Sequence, residues 1–273
     1  MRYKMIFSYD GTMFNGYQVQ KEKRTIQEEL EKALTYINAK KKTKVTSSGR
    51  TDRKVHAKMQ VAHFDLDITI TDYKLKRALN SLLPEDIHVI SVLKTSSDFH
   101  ARYMVKSKEY VYTLNLGEYN PIERNYVYQY NRSLDISTLQ QSIKYFEGTH
   151  DFRAFISSED KRENTVRTIM KTDILMDNDI IRIKFIGDGF MKYQVRNMVG
   201  LLIEIASGKK RIEDVERLLL LKQRKEAIKT APPEGLCLEK VNYWLEKHKK
   251  YKKTSKNTWF IQYFNWLIIL FLV

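Results

Sequence analysis

The densest group of polar and charged residues lies in segment 47–57 of the chain. Within it, Arg50 and Asp52 are two residues apart, so in an extended backbone both side chains project to the same side. A carboxylate presented by a loop can act as a nucleophile or a general base. The segment also fits an exposed basic loop with an internal Arg–Asp pair, and these residues alone favour that simpler interpretation.

A second polar group interrupts an apolar helical pattern at Val195-Arg196-Asn197-Met198-Val199. An arginine on a mostly buried helix is costly unless an anion pairs with it. If Arg196 meets a carboxylate from the first half of the chain, it would keep that acid ionised and oriented. The alternative is that Arg196 lies on the solvent-exposed face of the helix.

Tyr110 and Tyr112 alternate on a predicted strand that follows Ser107-Lys108-Glu109. Unpaired RNA bases are commonly held by stacking on aromatic rings. A core position is the better interpretation for Tyr112, whereas a core role and a stacking role are equally supported for Tyr110.

The charge balance suggests a polyanionic partner. The 273 residues carry 48 Lys and Arg against 33 Asp and Glu, a formal net charge of +15, which a soluble fold does not require. The single cysteine, Cys237, excludes an intramolecular disulfide and a cysteine-rich zinc site, and its apolar neighbours predict a buried, inert thiol. Residues 1–11 alternate polar and apolar side chains without the continuous apolar run of a signal peptide, which predicts a cytoplasmic location.

The C-terminal segment 247–273 is basic at first and then uncharged over residues 259–273. This apolar run is shorter than the roughly 20 residues that span a membrane. A peripheral membrane tail, a segment packed on the body or a partner, and an added end without function are the alternatives. We favour the last and predict that 247–273 is not part of the fold and that a membrane role is unlikely.

Periodicity predicts two successive series of strands and helices. The first comprises a strand over 3–9, a helix over 26–37 with a Thr25–Glu28 capping box, a strand over 59–67, a helix carrying Leu75, Leu79 and Leu82, and a strand over 87–93. The second comprises strands 109–116 and 126–130, a helix capped by Ser137 and Gln140, strands 165–175 and 180–186, helices 190–207 and 211–221, and a strand over 236–243. This order predicts an α+β fold of two halves, 1–100 and 101–246, which share a largely antiparallel sheet with helices on one face and a cleft between them.

The polar segment closely resembles the catalytic motif of the TruA family of tRNA pseudouridine synthases. The resemblance covers Ser48-Gly49-Arg50-Thr51-Asp52-Arg53-Lys54-Val55-His56-Ala57 and Gln60-Val61-Ala62-His63-Phe64-Asp65. It continues in family order through His100-Ala101-Arg102-Tyr103, Lys106-Ser107-Lys108-Glu109-Tyr110, Gly148-Thr149-His150-Asp151-Phe152, Val166-Arg167-Thr168-Ile169, Val195-Arg196-Asn197-Met198-Val199-Gly200 and Thr230-Ala231-Pro232-Pro233-Glu234-Gly235-Leu236.

The resemblance implies ferredoxin-like halves and a homodimer that binds tRNA in a basic cleft. It assigns Asp52 as the catalytic carboxylate and Arg196 as its partner. Arg50 would help to extrude the target uridine, Tyr110 would stack on the flipped uracil, and Leu236 would contact the base. The expected targets are uridines at positions 38–40 of the tRNA anticodon arm. No metal or other cofactor is expected, because the isomerisation involves neither net oxidation nor hydrolysis.

The chain departs from the family pattern directly after Asp52. Many members carry small residues or glycine where this chain has Arg53 and Lys54. These two cations should bind phosphate and lower the pKa of Asp52. The alternative function is a catalytically silent RNA-binding or chaperone protein on the same fold, which would not require Asp52, Arg50, Tyr110 and Arg196 together.

Overall fold

The computed structural model describes residues 1–157, 159–160, 162–221 and 228–244, and within them the chain forms ten strands and five α-helices. The strands are β1 (Arg2–Tyr9), β2 (Thr46–Ser47), β3 (His56–Asp65), β4 (Ile87–Lys94), β5 (Val105–Asn115), β6 (Tyr128–Gln129), β7 (Gly148–Asp151), β8 (Val166–Asp177), β9 (Ile180–Gly187) and β10 (Leu236–Tyr243). The helices are α1 (Ile26–Ile37), α2 (Asp72–Leu82), α3 (Ile136–Lys144), α4 (Gln194–Ala206) and α5 (Glu213–Leu220).

The strands form a single sheet in the order β4-β1-β3-β10-β5-β9-β8-β7, with β2 added to β3 and β6 to β5. Among the described strands, all neighbours pair antiparallel except β10 with β3 and β5 with β6. The last strand, β10, therefore lies between the two series and joins them into one sheet. Residues Met1–Tyr243 form one compact unit around it.

One face of the sheet is buried along the whole row of strands. Cross-strand partners share a face, and the register connects Tyr9 to Ala57, Ala57 to Leu238, Leu238 to Tyr110 and Tyr110 to Phe185. All five are buried in the same apolar core as the inward side chains of the helices. The structure thus confirms the predicted α+β class with one largely antiparallel sheet.

Helices α1 and α3 are confirmed and Thr25 is the N-cap residue of α1, but neither of the two predicted side-chain caps is formed. The Thr25 side chain makes no capping hydrogen bond to α1, and its hydroxyl is buried without a partner among the described residues. For α3 the cap is Asp135, whose carboxylate accepts the Thr138 N–H at 3.1 Å, so Ser137 is the second residue of the helix and not its cap. The short strands β2 and β7 were not predicted, because two to four residues carry too little alternation to detect.

No helix in the described part of the chain is long and apolar enough to cross a membrane. The predictions for the tail at 247–273, including its apolar end at 259–273, lie outside the described residues. The division into halves at residue 100 stays a prediction.

Candidate active site

The polar loop of residues 48–55, here called the Asp52 loop, connects β2 to β3. Its start is fixed by Ser48, whose N–H donates to the Val61 carbonyl at 2.7 Å and whose hydroxyl donates to Gln60 Oε1 at 2.6 Å. In the middle of the loop, the Thr51 hydroxyl is hydrogen-bonded to the Tyr9 hydroxyl at 2.8 Å. The loop is therefore held rigidly against the buried face of the sheet.

Two glycines allow the N-terminal segment to pack directly on this loop. A Cβ at Gly11 would lie 2.2 Å from the Val55 carbonyl oxygen. Gly16 has a φ of +91°, which favours glycine, and a Cβ there would lie 3.1 Å from the Thr51 carbonyl oxygen. Any larger residue at Gly11 would force the backbones apart and move Asp52.

Asp52 lies beside Arg196, 144 residues later in the chain. Arg196 Nη1 is 3.4 Å from Asp52 Oδ2, and only 13% and 17% of the two side chains are exposed. Burial raises the pKa of the Asp52 carboxyl above its ordinary value, while the charge and hydrogen bond of Arg196 and the charge of Lys192 act in the opposite direction. The result is a nearly buried carboxylate whose ionised form depends on its cationic neighbours.

Arg196 is itself held by the segment before β10, so it does not lie on the solvent-exposed face of α4. Its Nε donates to the Ala231 carbonyl at 2.8 Å, and its own carbonyl accepts the Ala231 N–H at 3.0 Å. This close approach requires Gly200, where a Cβ would lie 1.6 Å from the Lys229 carbonyl oxygen. The guanidinium is thereby aimed at Asp52 by backbone contacts on its far side.

Tyr193, which sequence reasoning missed, caps α4 next to Asp52. It has φ +66° and ψ −4°, a left-handed conformation that is costly for a residue with a side chain. Its backbone N–H is close enough to Asp52 to lower the pKa of the carboxyl, and its ring centroid is 5.1 Å from the Arg196 guanidinium carbon. The positive end of the α4 dipole also favours an anion at this point.

Tyr110 and Leu236 line the same face of the sheet. Tyr110 is 7% exposed, and its ring packs edge-on against Phe190 with centroids 5.2 Å apart. Burial raises the pKa of Tyr110, and the charges of Tyr9 and Asp52 add to that shift. Leu236 is buried and lies opposite Tyr112 in the β10–β5 register. Tyr112 is fully buried, as predicted for a core residue.

Comparison with known proteins identifies the family. The family model described as tRNA pseudouridine synthase matches residues 5–104 and 142–244. The chain is 43% identical over 243 residues to tRNA pseudouridine synthase A of Geobacillus sp. (strain WCH70), which covers 89% of this chain and 98% of that protein. It is 42% identical over 245 residues to tRNA pseudouridine synthase A of Listeria monocytogenes, which covers 89% and 99%. This chain belongs to the TruA family of tRNA pseudouridine synthases.

The predicted enzyme class, a pseudouridine synthase and therefore an isomerase, is confirmed by this membership. A solved structure titled "Crystal Structure of a Cbf5-Nop10-Gar1 Complex" also matches, with a TM-score of 0.31 and 13% identity over 76% of this chain and 55% of that chain. That likeness is too low to compare the folds.

Arg50, Arg53 and Lys54 are exposed on the Asp52 loop, and none of them forms a salt bridge within the described residues. The expectation that Arg53 and Lys54 lower the pKa of Asp52 is wrong, because burial outweighs the nearby charges, and the two cations that act on Asp52 are Arg196 and Lys192. Lys54 has a φ of +64°, a conformation that favours glycine.

The described residues contain no group of three or more His, Cys, Asp or Glu placed to hold a metal ion. A groove of about 420 Å³ exists on the opposite face of the sheet and contains none of the predicted site residues. Its lining includes Cys237, which is partly exposed, and burial of the thiol raises its pKa to about 12, in agreement with the predicted inert thiol.

Proposed function

We propose that this protein isomerises uridine to pseudouridine in tRNA, with Asp52 as the catalytic carboxylate and the anticodon arm, positions 38–40, as the target. The observation that carries the proposal is a single, nearly buried carboxylate that contacts Arg196 at 3.4 Å next to Tyr110. This carboxylate stands within the family's catalytic motif. The tRNA substrate follows from the relatives, which are named tRNA pseudouridine synthase A.

The reaction needs little more than one ionised carboxylate. It breaks the C1′–N1 bond of uridine, turns the uracil, and joins C5 to C1′. The C5 proton is lost and N1 is protonated, so the product is an isomer of the substrate. Asp52 would act as nucleophile at C1′ or as a base at the ribose. Both roles require its charged form, which the contact with Arg196 and the charge of Lys192 favour against the effect of burial.

The target base must leave its stack to reach a buried carboxylate. Arg50, exposed on the same loop, would enter the space that the base vacates. Tyr110 would stack on the extruded uracil, and Leu236 would contact it from the adjacent strand. An apolar, water-poor pocket would also keep the detached uracil in place until the C1′–C5 bond forms.

RNA binding would come mostly from phosphate contacts, in keeping with the net charge of +15. Arg53 and Lys54, both exposed beside Asp52, would contribute to it. We further propose a cytoplasmic homodimer, which sedimentation of the purified protein would test. A dimer is expected, and a monomer at working concentration would contradict it.

Site-resolved pseudouridine mapping tests the proposed function directly. Wild type and Asp52→Asn would each be incubated with unmodified tRNA transcripts and with ribosomal RNA. We expect a signal in the anticodon arm with wild type only. Signal at another position would keep the chemistry and reject the target, whereas binding without any signal would favour a catalytically silent RNA-binding protein.

A further inference from the structure

Three cations border the Asp52 loop on the side of β5. Lys108 lies on β5, Arg102 in the loop before it, and Arg167 on β8. Burial, followed by the charges of Arg102 and Arg167, lowers the pKa of Lys108 to about 8, and Asp188 acts weakly in the opposite direction. The charge of Arg102 also acts on Arg50. The sheet register supports this closeness: Lys108 pairs with Gly187, and Gly187 pairs with Ile169, two residues after Arg167. The three cations therefore lie near one another and adjoin the proposed catalytic machinery.

The Lys108 ammonium occupies a space that Gly49 leaves open. Its Nζ donates to the Ser48 carbonyl at 2.7 Å, and a Cβ on Gly49 would lie 2.6 Å from the same nitrogen. An ammonium has three donors, and Ser48 is the only acceptor for Lys108 within the described residues. The lysine thus fixes the start of the Asp52 loop and keeps two donors for another acceptor.

Arg167 has a similar environment. Its guanidinium donates to the carbonyl of Val166, on its own strand, and lies against Gly189, where a Cβ would be 3.5 Å from Arg167 Nε. Gly189 thus presents only backbone to the Arg167 guanidinium, as Gly49 does to the Lys108 ammonium. Gly49 therefore makes room for the Lys108 ammonium, and Gly189 places no side chain against the Arg167 guanidinium.

The described part of the protein supplies little opposite charge to these three cations: the charge of Asp188 acts on Lys108, but it is the smallest of the influences on that pKa. Within the described residues Arg102, Lys108 and Arg167 form no salt bridge, whereas other cations on the same sheet do, as in Lys184–Glu109 at 3.1 Å and Arg2–Asp65 at 2.8 Å. Like charges held together cost folding free energy unless an anion binds between them. An oxyanion with several acceptor oxygens fits such a group.

We propose that Arg102, Lys108 and Arg167 bind one backbone phosphate of the RNA beside the extruded uridine. Lys108 would hold this phosphate and the Ser48 carbonyl together, so that binding of the strand also sets the position of the Asp52 loop. This proposal rests on the proposed function, because it takes RNA as the source of the phosphate. Free phosphate has the same chemistry and is the alternative source.

Equilibrium binding of the full chain to an anticodon-arm RNA hairpin tests the subsite. Lys108→Met should weaken binding about tenfold, the effect of losing one charge-assisted hydrogen bond. It should also reduce the slope of log K against log salt by about 0.7 to 0.9, the value for one phosphate contact. Gly49→Ala keeps the net charge but displaces the ammonium, so it should weaken binding similarly. The matched control is Lys74→Met, an exposed cation on α2, which should change neither value.

Methylphosphonate substitution, one RNA phosphate at a time, identifies the ligand. With wild type we expect one position near the target uridine to lose about tenfold in affinity, and with Lys108→Met that loss should disappear. An unchanged salt slope in Lys108→Met, or equal losses in both proteins at every position, would overturn the proposal. If inorganic phosphate raises the melting temperature of wild type alone while no methylphosphonate matters, the site binds free phosphate and the RNA assignment fails.

These measurements read binding and do not depend on turnover. A Lys108-dependent loss of affinity at one methylphosphonate position, without any pseudouridine product, would reject the proposed function and keep the subsite. Pseudouridine formation in a protein whose methylphosphonate losses do not depend on Lys108 would keep the proposed function and reject the phosphate subsite.

Discussion

The two faces of the sheet differ in how their polar groups are paired. On the face opposite the helices, the groove of about 420 Å³ contains polar groups that pair with one another or with the backbone. His56 accepts the Gly11 N–H at 3.1 Å through Nδ1 and, as the neutral Nε2–H tautomer, donates to the Asn125 carbonyl at 2.8 Å. The Tyr126 hydroxyl donates to Asp10 at 2.7 Å.

On the helix-covered face, by contrast, burial raises the pKa of Asp52 against the effect of Arg196, and Arg102, Lys108 and Arg167 form no salt bridge within the described residues. In this molecule unbalanced charge, rather than cavity size, distinguishes the candidate active site, because a protein pairs buried charges unless a ligand is to complete them.

The strongest test of this comparison is Asp52→Asn. The change removes the carboxylate while keeping its shape, so the initial rate of pseudouridine formation should fall by at least about 10³-fold. RNA affinity should stay within a few-fold, because phosphate contacts dominate it. Rates from timed mapping and a Kd from filter binding measure both. Loss of folding or of binding in this variant would contradict a catalytic role.

Arg196→Met should have the next largest effect, because it leaves Asp52 buried without its partner. Breaking a buried pair typically costs about 3–5 kcal/mol. The pKa of Asp52 should rise further, so the acid limb of the rate profile should move to higher pH. The dependence of stability on pH follows from the same burial. Because the pKa of Asp52 is higher in the folded than in the unfolded state, the free energy of unfolding falls as the pH rises and Asp52 ionises. This loss disappears when the carboxyl is protonated at low pH.

Urea unfolding and a pH profile measure these two effects. Lys192→Met is the matched control, since it removes the same charge but keeps the ion pair, and its acid limb should move less. An unmoved profile in Arg196→Met would mean that Asp52 does not depend on Arg196.

The sequence predicted the parts of this site but not how they meet. Alternation located β1 and β5, and the polar interruption of α4 pointed to Arg196. The contact of Arg196 with Asp52 requires β10 to insert between β3 and β5, a non-local pairing that no local pattern encodes. The resemblance to the family implied the Arg196–Asp52 contact, but not the position of β10 that produces it.

The backbone conformation around the site could not be predicted from the sequence either. Nothing in the residue type of Tyr193 predicts a left-handed φ, because the tertiary contacts around Asp52 impose it. The space that Gly49 leaves for Lys108 depends on two strands far apart in sequence. The capping error at Thr25 has the same origin, since burial of that hydroxyl overrides its local preference.

Lys54→Gly sharpens the comparison with a smaller effect. Lys54 has a φ of +64°, and relief of this strain should outweigh the added flexibility of the unfolded chain. The free energy of unfolding should therefore rise by up to about 1 kcal/mol. Lys42→Gly, at an exposed position without a positive φ, should instead lose about 0.5–1 kcal/mol. Urea unfolding of both variants measures the difference, and a loss in both would reject strain at Lys54.

The smallest effect on catalysis is expected from Tyr126→Phe, which leaves Asp10 without one of its hydrogen bonds on the face of the sheet opposite Asp52. The change removes the hydroxyl that donates to Asp10 in the groove, so the unfolding free energy should fall by about 0.5–1 kcal/mol. The rate of pseudouridine formation should change less than twofold, because Asp10 lies on the opposite face from Asp52. Parallel unfolding and rate measurements separate the two effects. A larger loss of rate at unchanged stability would mean that the groove contributes to the reaction, and that charge imbalance alone does not mark the site.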